Sequence, residues 1–550
     1  MNKHNNKWVS ATGTHFYNLL DFGILAVLLS AVAVFILYPL LCIIKNSLWI
    51  EGVFTLKEYS RLFLKNGRLL TNSLFVACLS AAGSMVLATA VALKVHFAGS
   101  KIKGLLMGLL MMTMVSPPFV SALAYIQLFG RRGMITHRLL GLSINPYGWG
   151  GIVAMQSLSF VPLNALLLMG VLSKVDQSLI HASRDLGASP SHTLWNVILP
   201  LIRPAMLVCF LLSFIRSLSD FGTPMIIGGR FNVLAPEIYL QIIGYSNLPR
   251  ASAMNVVILI PALVIFIFYR LLMRNNLFST GDGKTGELQS GFHLKGITNF
   301  LLAGLAALFY GMMLLQYGSI FLGAFTKSVR GNLQFSLEHF DQLRMYNSAT
   351  LGRSIVYALI VAVAGTVFGM LLSYYIERRR IPLRNFTDFV ATLPYMLPGT
   401  CFGIGYILAF NHPPLKLTGT AVIVILNMIF KQLPTTTKTA SAALSQISVN
   451  MEQAAQDLGA SKFHVIKDIV FPNLKNAFLV GFINNFTSAM TTVGAVIFLI
   501  HPGKKIAVFA LFDAVNSGEY GLASLIATFI IIITLLVNLG LSRIIMRGRG

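Results

Sequence analysis

Two ionisable side chains, Arg216 and Asp220, stand inside an otherwise apolar stretch, LLSFIRSLSDFG. Charges in such a setting are costly, so they face a water-filled path or each other. Spaced four apart, they would share one helix face. A second polar group, Asn484, Asn485, Thr491 and Thr492, stands in a similar stretch further on. Amides, hydroxyls and an ion pair can bind and pass a polar solute; they do not break bonds. With Gly222 and Gly494, whose bare backbones let a helix open, these residues are expected to line a polar passage. Bond-breaking chemistry has no visible footing, since neither paired carboxylates nor a nucleophile beside a base can be found. Gly283-Lys284-Thr285 resembles the end of a phosphate-binding loop, but Phe278 stands where that loop needs glycine. Cys42, Cys78, Cys209 and Cys401 each stand alone in apolar sequence, so no metal or redox site is expected.

The elements that hold these residues must sit in lipid. Of 550 residues, 55% are hydrophobic and only 11% charged, against roughly 25% charged in soluble domains. This balance excludes an ordinary soluble enzyme, a disordered tail and a secreted disulfide scaffold. The net charge of +24 is read as basic residues flanking membrane spans and facing anionic lipid, with no nucleic-acid partner. Apolar runs fall near 22–44, 72–93, 104–129, 150–172, 201–227 and 252–273, then near 297–323, 352–376, 386–410, 419–433, 474–500 and 521–545. A span takes about 20 residues. The run after Asp21 is too long for a cleavable signal and is expected to be the first span. The expectation is an all-α polytopic membrane protein of about 12 spans, six in each of two domains, 1–274 and 297–550, joined by a Gly/Ser/Thr-rich linker, 275–296. Lys431 and Pro434 are expected to cut the run at 419–433 short. With both termini in the cytoplasm, inner segments hold 23 Lys and Arg against 16 outside. Arg378-Arg379-Arg380 supports that orientation; Arg131, Arg132 and Arg138 oppose it.

The chain repeats itself in its longest polar segments between spans. HASRDLGASPSHTLWNVILPLIRPAM, 181–206, and QAAQDLGASKFHVIKDIVFPNLKNAF, 453–478, share nine of 26 positions at an offset of 272 residues. The offset also pairs Gly222 with Gly494. Each copy predicts a short helix stopped at Gly187 or Gly459, where glycine tolerates a left-handed turn. Ser189 or Ser461 then caps a second helix, with Pro190 at its first position. Pro200 or Pro472 precedes the next span. The product is one helix–turn–helix elbow per half, both on the same membrane face, and these elbows are expected to dock a partner. Neutral Ser488 and Thr492 replace Arg216 and Asp220 at the repeat offset, so the passage is expected to be asymmetric.

The segments A-S-R-D-L-G-A-S…I-L-P and Q-A-A-Q-D-L-G-A-S…V-F-P resemble the EAA loop of binding-protein-dependent ABC importer permeases. His181 and Gln453 stand where that pattern has Glu, Ser183 replaces an Ala, and Phe471 replaces Leu. The resemblance implies two tandem type I permease domains in a bacterial cytoplasmic membrane. It implies two cytoplasmic ATP-binding subunits as partners, gripping Ala182, Asp185, Gly187, Ala188 and Pro200 in one elbow. In the other they would grip Ala454, Asp457, Gly459, Ala460 and Pro472. It also implies an extracytoplasmic substrate-binding protein, and no cofactor in this chain, with ATP and Mg held by the partner subunits. The fused architecture, with Ser219-Asp220-Phe221-Gly222-Thr223-Pro224, is similar to the ferric-iron and 2-aminoethylphosphonate types alike. Ferric iron is the expected cargo, with 2-aminoethylphosphonate or another small phosphorylated organic anion as the alternative. The competing class is a secondary transporter of two six-helix halves, which would need an ion-coupling carboxylate such as Asp220.

Overall fold

The computed structural model describes residues 21–114, 118–142, 145–274, 294, 296–329, 332–379, 381 and 383–547. The expected linker lies outside these residues except at Leu294 and Gly296. In the first half the helices are α1 Asp21–Leu48, α2 Lys57–His96, α3 Ser100–Thr113, α4 Pro118–Phe129, α5 Trp149–Leu172 and α6 Gln177–Asp185. They continue with α7 Pro190–Ser219, α8 Gly222–Ile227, α9 Leu234–Ile243 and α10 Leu248–Arg274. The second half follows with α11 Gly296–Phe325, α12 Glu338–Arg378, α13 Arg384–Met396, α14 Gly399–Phe410 and α15 Ala421–Leu444. It closes with α16 Val449–Asp457, α17 Lys475–Thr491, α18 Ala507–Asn516 and α19 Tyr520–Arg547. Small antiparallel hairpins, β1 Trp49–Ile50 with β2 Val53–Phe54 and β3 Thr326–Val329 with β4 Asn332–Phe335, follow the first helix of each half.

Every expected apolar run coincides with helix, yet not every run is one long span. Among the described residues, eight helices are long and apolar enough to cross a bilayer: α1, α2, α5, α7, α10, α11, α12 and α19. The pair α13 and α14, bent by 113° between them, makes a ninth if it is a single span. The remaining three runs differ for local reasons. The run at 104–129 is divided between α3 and α4. The run at 474–500 is helical only to Thr491. The run at 419–433 is longer than expected, because α15 continues through Pro434 to Leu444. Its counterpart α5 likewise contains Pro162, 272 residues earlier. Proline costs a helix one hydrogen bond, and Thr437 Oγ1 donates to the carbonyls of Leu433 and Pro434, both at 3.0 Å, beside it.

The first helix of each half packs on the other half. From α1, Phe35 stacks on Phe430 with centroids 4.9 Å apart, and its carbonyl accepts from the Tyr406 hydroxyl at 2.9 Å. From α11, the Tyr310 and Tyr317 hydroxyls donate to the carbonyls of Leu106 and Met112 at 3.1 and 3.0 Å. This exchange fixes sidedness. Asp21 opens α1 beside Arg379, 3.6 Å away, at the end of α12. Asn299 opens α11 beside Lys94, at the end of α2. Helix α11, of 30 residues, is about 45 Å long and crosses once; α12 crosses back. Both elbows therefore lie on one face, the face of Asp21 and Asn299. Arg131, Arg132 and Arg138, ahead of α5, fall on the opposite side.

Candidate functional site

Each elbow is built by local rules. Asp176 caps α6 by accepting from the Ser178 N–H at 2.9 Å, and that bond holds its carboxyl below the ordinary value. Ser448 caps α16 from the Asn450 N–H at 3.3 Å. The helices stop at Asp185 and Asp457, and Gly187 and Gly459 turn the chain at φ +83° and +91°. Ser189 and Ser461 accept from the N–H groups of His192 and His464 at 3.2 and 3.4 Å. A π-helical turn, Leu194–Ile198 or Val465–Val470, stands just before Pro200 or Pro472. The chain after the first elbow is thus continuous helix into the membrane, where a separate short helix was expected. The π turn absorbs the hydrogen bond that proline cannot make.

The elbows' outer faces match. Ala182, Asp185 and Gly187 are exposed and Ala188 half-buried; Ala454, Asp457, Gly459 and Ala460 repeat that pattern. At the tips, Leu186 and Leu458 are 88% and 90% exposed. A Cβ on Gly187 or Gly459 would meet nothing within 4 Å, so these glycines serve backbone conformation.

The inner faces do not match. Glu452 of α16 is buried, and its Oε1 lies 3.3 Å from Arg378 Nε, near enough to pair without a linear hydrogen bond. Glu452 Oε2 accepts from the Tyr374 hydroxyl at 3.2 Å. Arg378 Nη2 donates to the carbonyls of Leu444 and Ile447, both at 2.6 Å. One guanidinium thus ties α12, the end of α15 and the second elbow together. In the first half Ile180, buried at the position of Glu452, supplies only apolar contact.

At the other ends of α7 and α17 the expected ion pair does not form. Helix α7 stops at Ser219 and Asp220 is extended (φ −75°, ψ 110°), so Arg216 and Asp220 do not share a helix face. Asp220 Oδ1 accepts from the N–H groups of Gly222 and Thr223 at 3.0 and 3.2 Å, and Oδ2 from Gln156 Nε2 at 2.9 Å. Gln156 Oε1 in turn accepts from Ser80 Oγ at 2.9 Å and Ser217 Oγ at 2.6 Å. Asp220 is therefore the pin of the α7–α8 break. Thr492 ends α17 in the same extended conformation (φ −80°, ψ 126°) at the repeat offset, without that network. Met428 and Ala489 occupy the positions that correspond to Gln156 and Ser217. Gly222 and Gly494 are close-packing sites: a Cβ on Gly222 would lie 3.0 Å from the Phe119 ring, and Gly494 lies against Gly399.

Deeper in each half a three-helix polar knot recurs. Asn164 Nδ2 donates to Ser84 Oγ at 3.0 Å and Ser213 Oγ at 2.6 Å. Asn485 Nδ2 donates to Thr366 Oγ1 at 2.9 Å, and its Oδ1 accepts from Thr436 Oγ1 at 3.3 Å. Positions 164 and 436 correspond, as do 213 and 485, so the amide has changed helix between the halves. The knots escape sequence reading because each looks like one more hydroxyl in an apolar run; aligning the halves position by position would have exposed the exchange. Asn164→Leu is expected to strand two buried hydroxyls and cost about 1–3 kcal/mol. Adding Ser213→Asn and choosing Thr at 164 recreates the second half's arrangement. The double variant should recover most of that loss, read as thermal unfolding in detergent.

Of the other expected passage residues, Asn484 is exposed, and Thr491 and Thr492 are half-buried. Asn485 is buried inside the knot, so it lines nothing. Arg216 is exposed although Ala205, Cys209 and Leu212, which precede it on the same line of α7, are buried. The lipid-facing line, Leu207, Phe210 and Phe214, lies on the other side of the helix. Arg216 is thus an exposed cation on an otherwise buried line. Just past it, rings from both halves meet. Phe221 lies 5.8 Å from Phe512, Phe119 5.2 Å from Phe512, and Tyr239 5.8 Å from Phe498. This aromatic layer lies just beyond the ends of α7 and α17, away from the elbows. Among the described residues no three His, Cys, Asp or Glu side chains gather as a metal site.

The profile of the family described as "Binding-protein-dependent transport system inner membrane component" matches residues 84–276 and 365–546. Over 94% of its length the chain is 32% identical to the ferric transport system permease protein FbpB of Actinobacillus pleuropneumoniae, covering 78% of that protein. It is 24% identical, over 70% of its length and 74% of the relative's, to an Fe(3+)-transport system permease of Haemophilus influenzae. Over 34% of its length it is 27% identical to the sulfate transport system permease protein CysT of Salmonella typhimurium, covering 71% of that protein.

Proposed function

Because the chain belongs to the family of inner membrane components of binding-protein-dependent transport systems, we propose that its two elbows seat in two cytoplasmic ATP-binding subunits and that its cargo is ferric iron. The chain is a multi-pass, non-catalytic permease of an ABC importer; such importers work with ATP-hydrolysing and substrate-binding partners. One observation carries the docking assignment. Two leucines, 88% and 90% exposed, stand at matching tips of two elbows on one membrane face. A single exposed leucine is ordinary; its recurrence at the same corner of both duplicated elbows is what supports a shared docking surface. Pulling and pushing on both corners rocks the halves. The aromatic layer then parts on the far side, where an extracytoplasmic binding protein delivers its load. In this reading Arg216, Asn484 and Thr491 line the passage below that layer, with Asp220, Gly222, Thr492 and Gly494 shaping its edge.

Several of the relatives that cover most of the chain carry ferric iron in their names, which favours iron over the phosphonate alternative. The secondary-transport reading loses its carboxylate, since both Asp220 oxygens are engaged by hydrogen-bond donors. The test is uptake by proteoliposomes holding the chain, its ATP-binding subunits and its iron-loaded binding protein. ATP-dependent accumulation of ⁵⁵Fe, with two ATP-binding subunits per chain, is the expected result. Uptake driven by a proton gradient without ATP would contradict it.

A further inference from the structure

We propose that an anionic phospholipid seats between α3 and α11, one acyl chain in a groove between these helices and its phosphate against lysines on the elbow face. The exchange of first helices makes two junctions between the halves, and they are built differently. Where α1 lies on the second half, the seam is full. Phe35 stacks on Phe430 at 4.9 Å and stands 5.6 Å from Phe410, and a Cβ on Gly405 would lie 3.0 Å from Pro39. Where α11 lies on the first half, the Tyr310 and Tyr317 hydroxyls reach across to carbonyls of α3. An open groove of about 330 Å³ runs there, lined by Leu109 and Met112 of α3 and by Tyr310, Met313 and Leu314 of α11. Thr113, also in its wall, already donates to the Leu110 carbonyl at 2.6 Å. The groove therefore presents apolar surface and no free hydroxyl. A Cβ on Gly104 or Gly108 of α3, or on Gly304 or Gly311 of α11, would meet nothing within 4 Å, so these glycines do not bring the helices together.

The charges differ in the same way. At the elbow-face end of the full seam, cations meet carboxylates: Arg379 with Asp21 at 3.6 Å, Arg384 with Glu377 at 2.9 Å and Lys438 with Asp388 at 2.7 Å. At the elbow-face end of the groove stand Lys94, Lys101 and Lys103. Lys94 Nζ donates to a neutral acceptor, Asn299 Oδ1, where α11 begins. Lys101 and Lys103 are exposed on the first turn of α3. Helices α3, α4 and α11 contain no Asp or Glu, and α2 has none after Glu58. Lys101 precedes Leu109 by eight residues, about 12 Å of helix, so a headgroup held by the lysines has its acyl chain at the depth of the groove. Lysine stems reach along apolar surface to the headgroup level, and basic clusters there attract anionic lipid. The lipid thus completes for α11 the packing and the charge balance that rings and carboxylates supply for α1.

The full chain is reconstituted in nanodiscs of phosphatidylcholine with a minor share of phosphatidylglycerol, and the lipid retained on release is identified by native mass spectrometry. Phosphatidylglycerol enriched roughly tenfold above its share of the bilayer is the expected result. Phosphatidylglycerol carrying a diazirine on its acyl chain should cross-link to α3 and α11 and not at the α1 seam. Leu109→Trp, which fills the groove, and the pair Lys101→Gln with Lys103→Gln should each remove the enrichment, while Lys101→Arg with Lys103→Arg keeps it. Retention of the two lipids in proportion to the bilayer would overturn the proposal, as would cross-linking at both seams alike or enrichment untouched by Leu109→Trp. A groove filled instead by the 275–296 linker would retain no phosphatidylglycerol, and the proposal would fall. The lipid comparison and the cross-linking use the wild-type chain, so a variant that misfolds decides neither.

Discussion

Replacing Leu186 and Leu458 together with glutamate is expected to abolish ATP-driven uptake while leaving the chain folded in the membrane. Each leucine is almost fully exposed, so neither contributes to the chain's own core. Burial of a leucine against a partner is worth about 2 kcal/mol. Each of the two ATP-binding subunits loses one such contact, about 2 kcal/mol or roughly thirtyfold in affinity. A charge forced into the same groove adds a desolvation cost. Either single variant should keep one handle and lose most, not all, of the coupling. Co-purification of the ATP-binding subunits and substrate-stimulated ATP hydrolysis read the effect. Changing Gly187 and Gly459 to bulky residues should act in the same direction, since at φ +83° and +91° any side chain strains the turn.

The second large effect is expected at the clamp behind the second elbow. Glu452→Ile leaves Arg378, 13% exposed at its side chain, without its carboxylate; breaking a buried pair costs about 3–5 kcal/mol. The two carbonyls of Leu444 and Ile447 still hold Arg378, which places the expected cost at the lower end. Changing Arg378→Leu in the same chain removes the stranded charge and makes the contact apolar, as it is around Ile180 in the first half. That double variant should unfold at a higher temperature than Glu452→Ile alone, because removing both partners of a buried pair costs less than removing one. Thermal unfolding in detergent decides the stability comparison. Uptake decides whether directional hold on the second elbow matters beyond stability; the double variant, stable but lacking the ion pair, should still transport more slowly than wild type.

The elbows were legible because their structure is local. A glycine that must adopt positive φ and a serine cap three residues before its N–H donor are short-range rules that duplication wrote twice, and the first copy adds Pro190 at the first helical position. The apolar runs were legible for the same reason. The α7 terminus was not. Arg216 and Asp220 share a face only if the helix continues, and what stops it is Gln156 from another helix together with aromatic rings from the other half. Pro434 misled for a related reason: a proline signals a stop in isolation, but α15 is held by packing on both sides of it. The exchange of α1 and α11 between halves leaves no sequence trace, because apolar helices that pack on a neighbour or on a distant partner read alike. The charged clamp at Arg378 and Glu452 joins residues 74 apart, and its first-half counterpart is uncharged, so the repeat itself concealed it.

The central claim is that one passive membrane gate is gripped at two handles on the same face. In a chain whose four native cysteines are serine, Leu186→Cys and Leu458→Cys are introduced separately and exposed to a membrane-impermeant thiol reagent. Labelling of both in inside-out vesicles, neither in right-side-out vesicles, and protection of both by added ATP-binding subunits is the predicted result. Labelling of the two positions from opposite sides, or no protection at either, would contradict it.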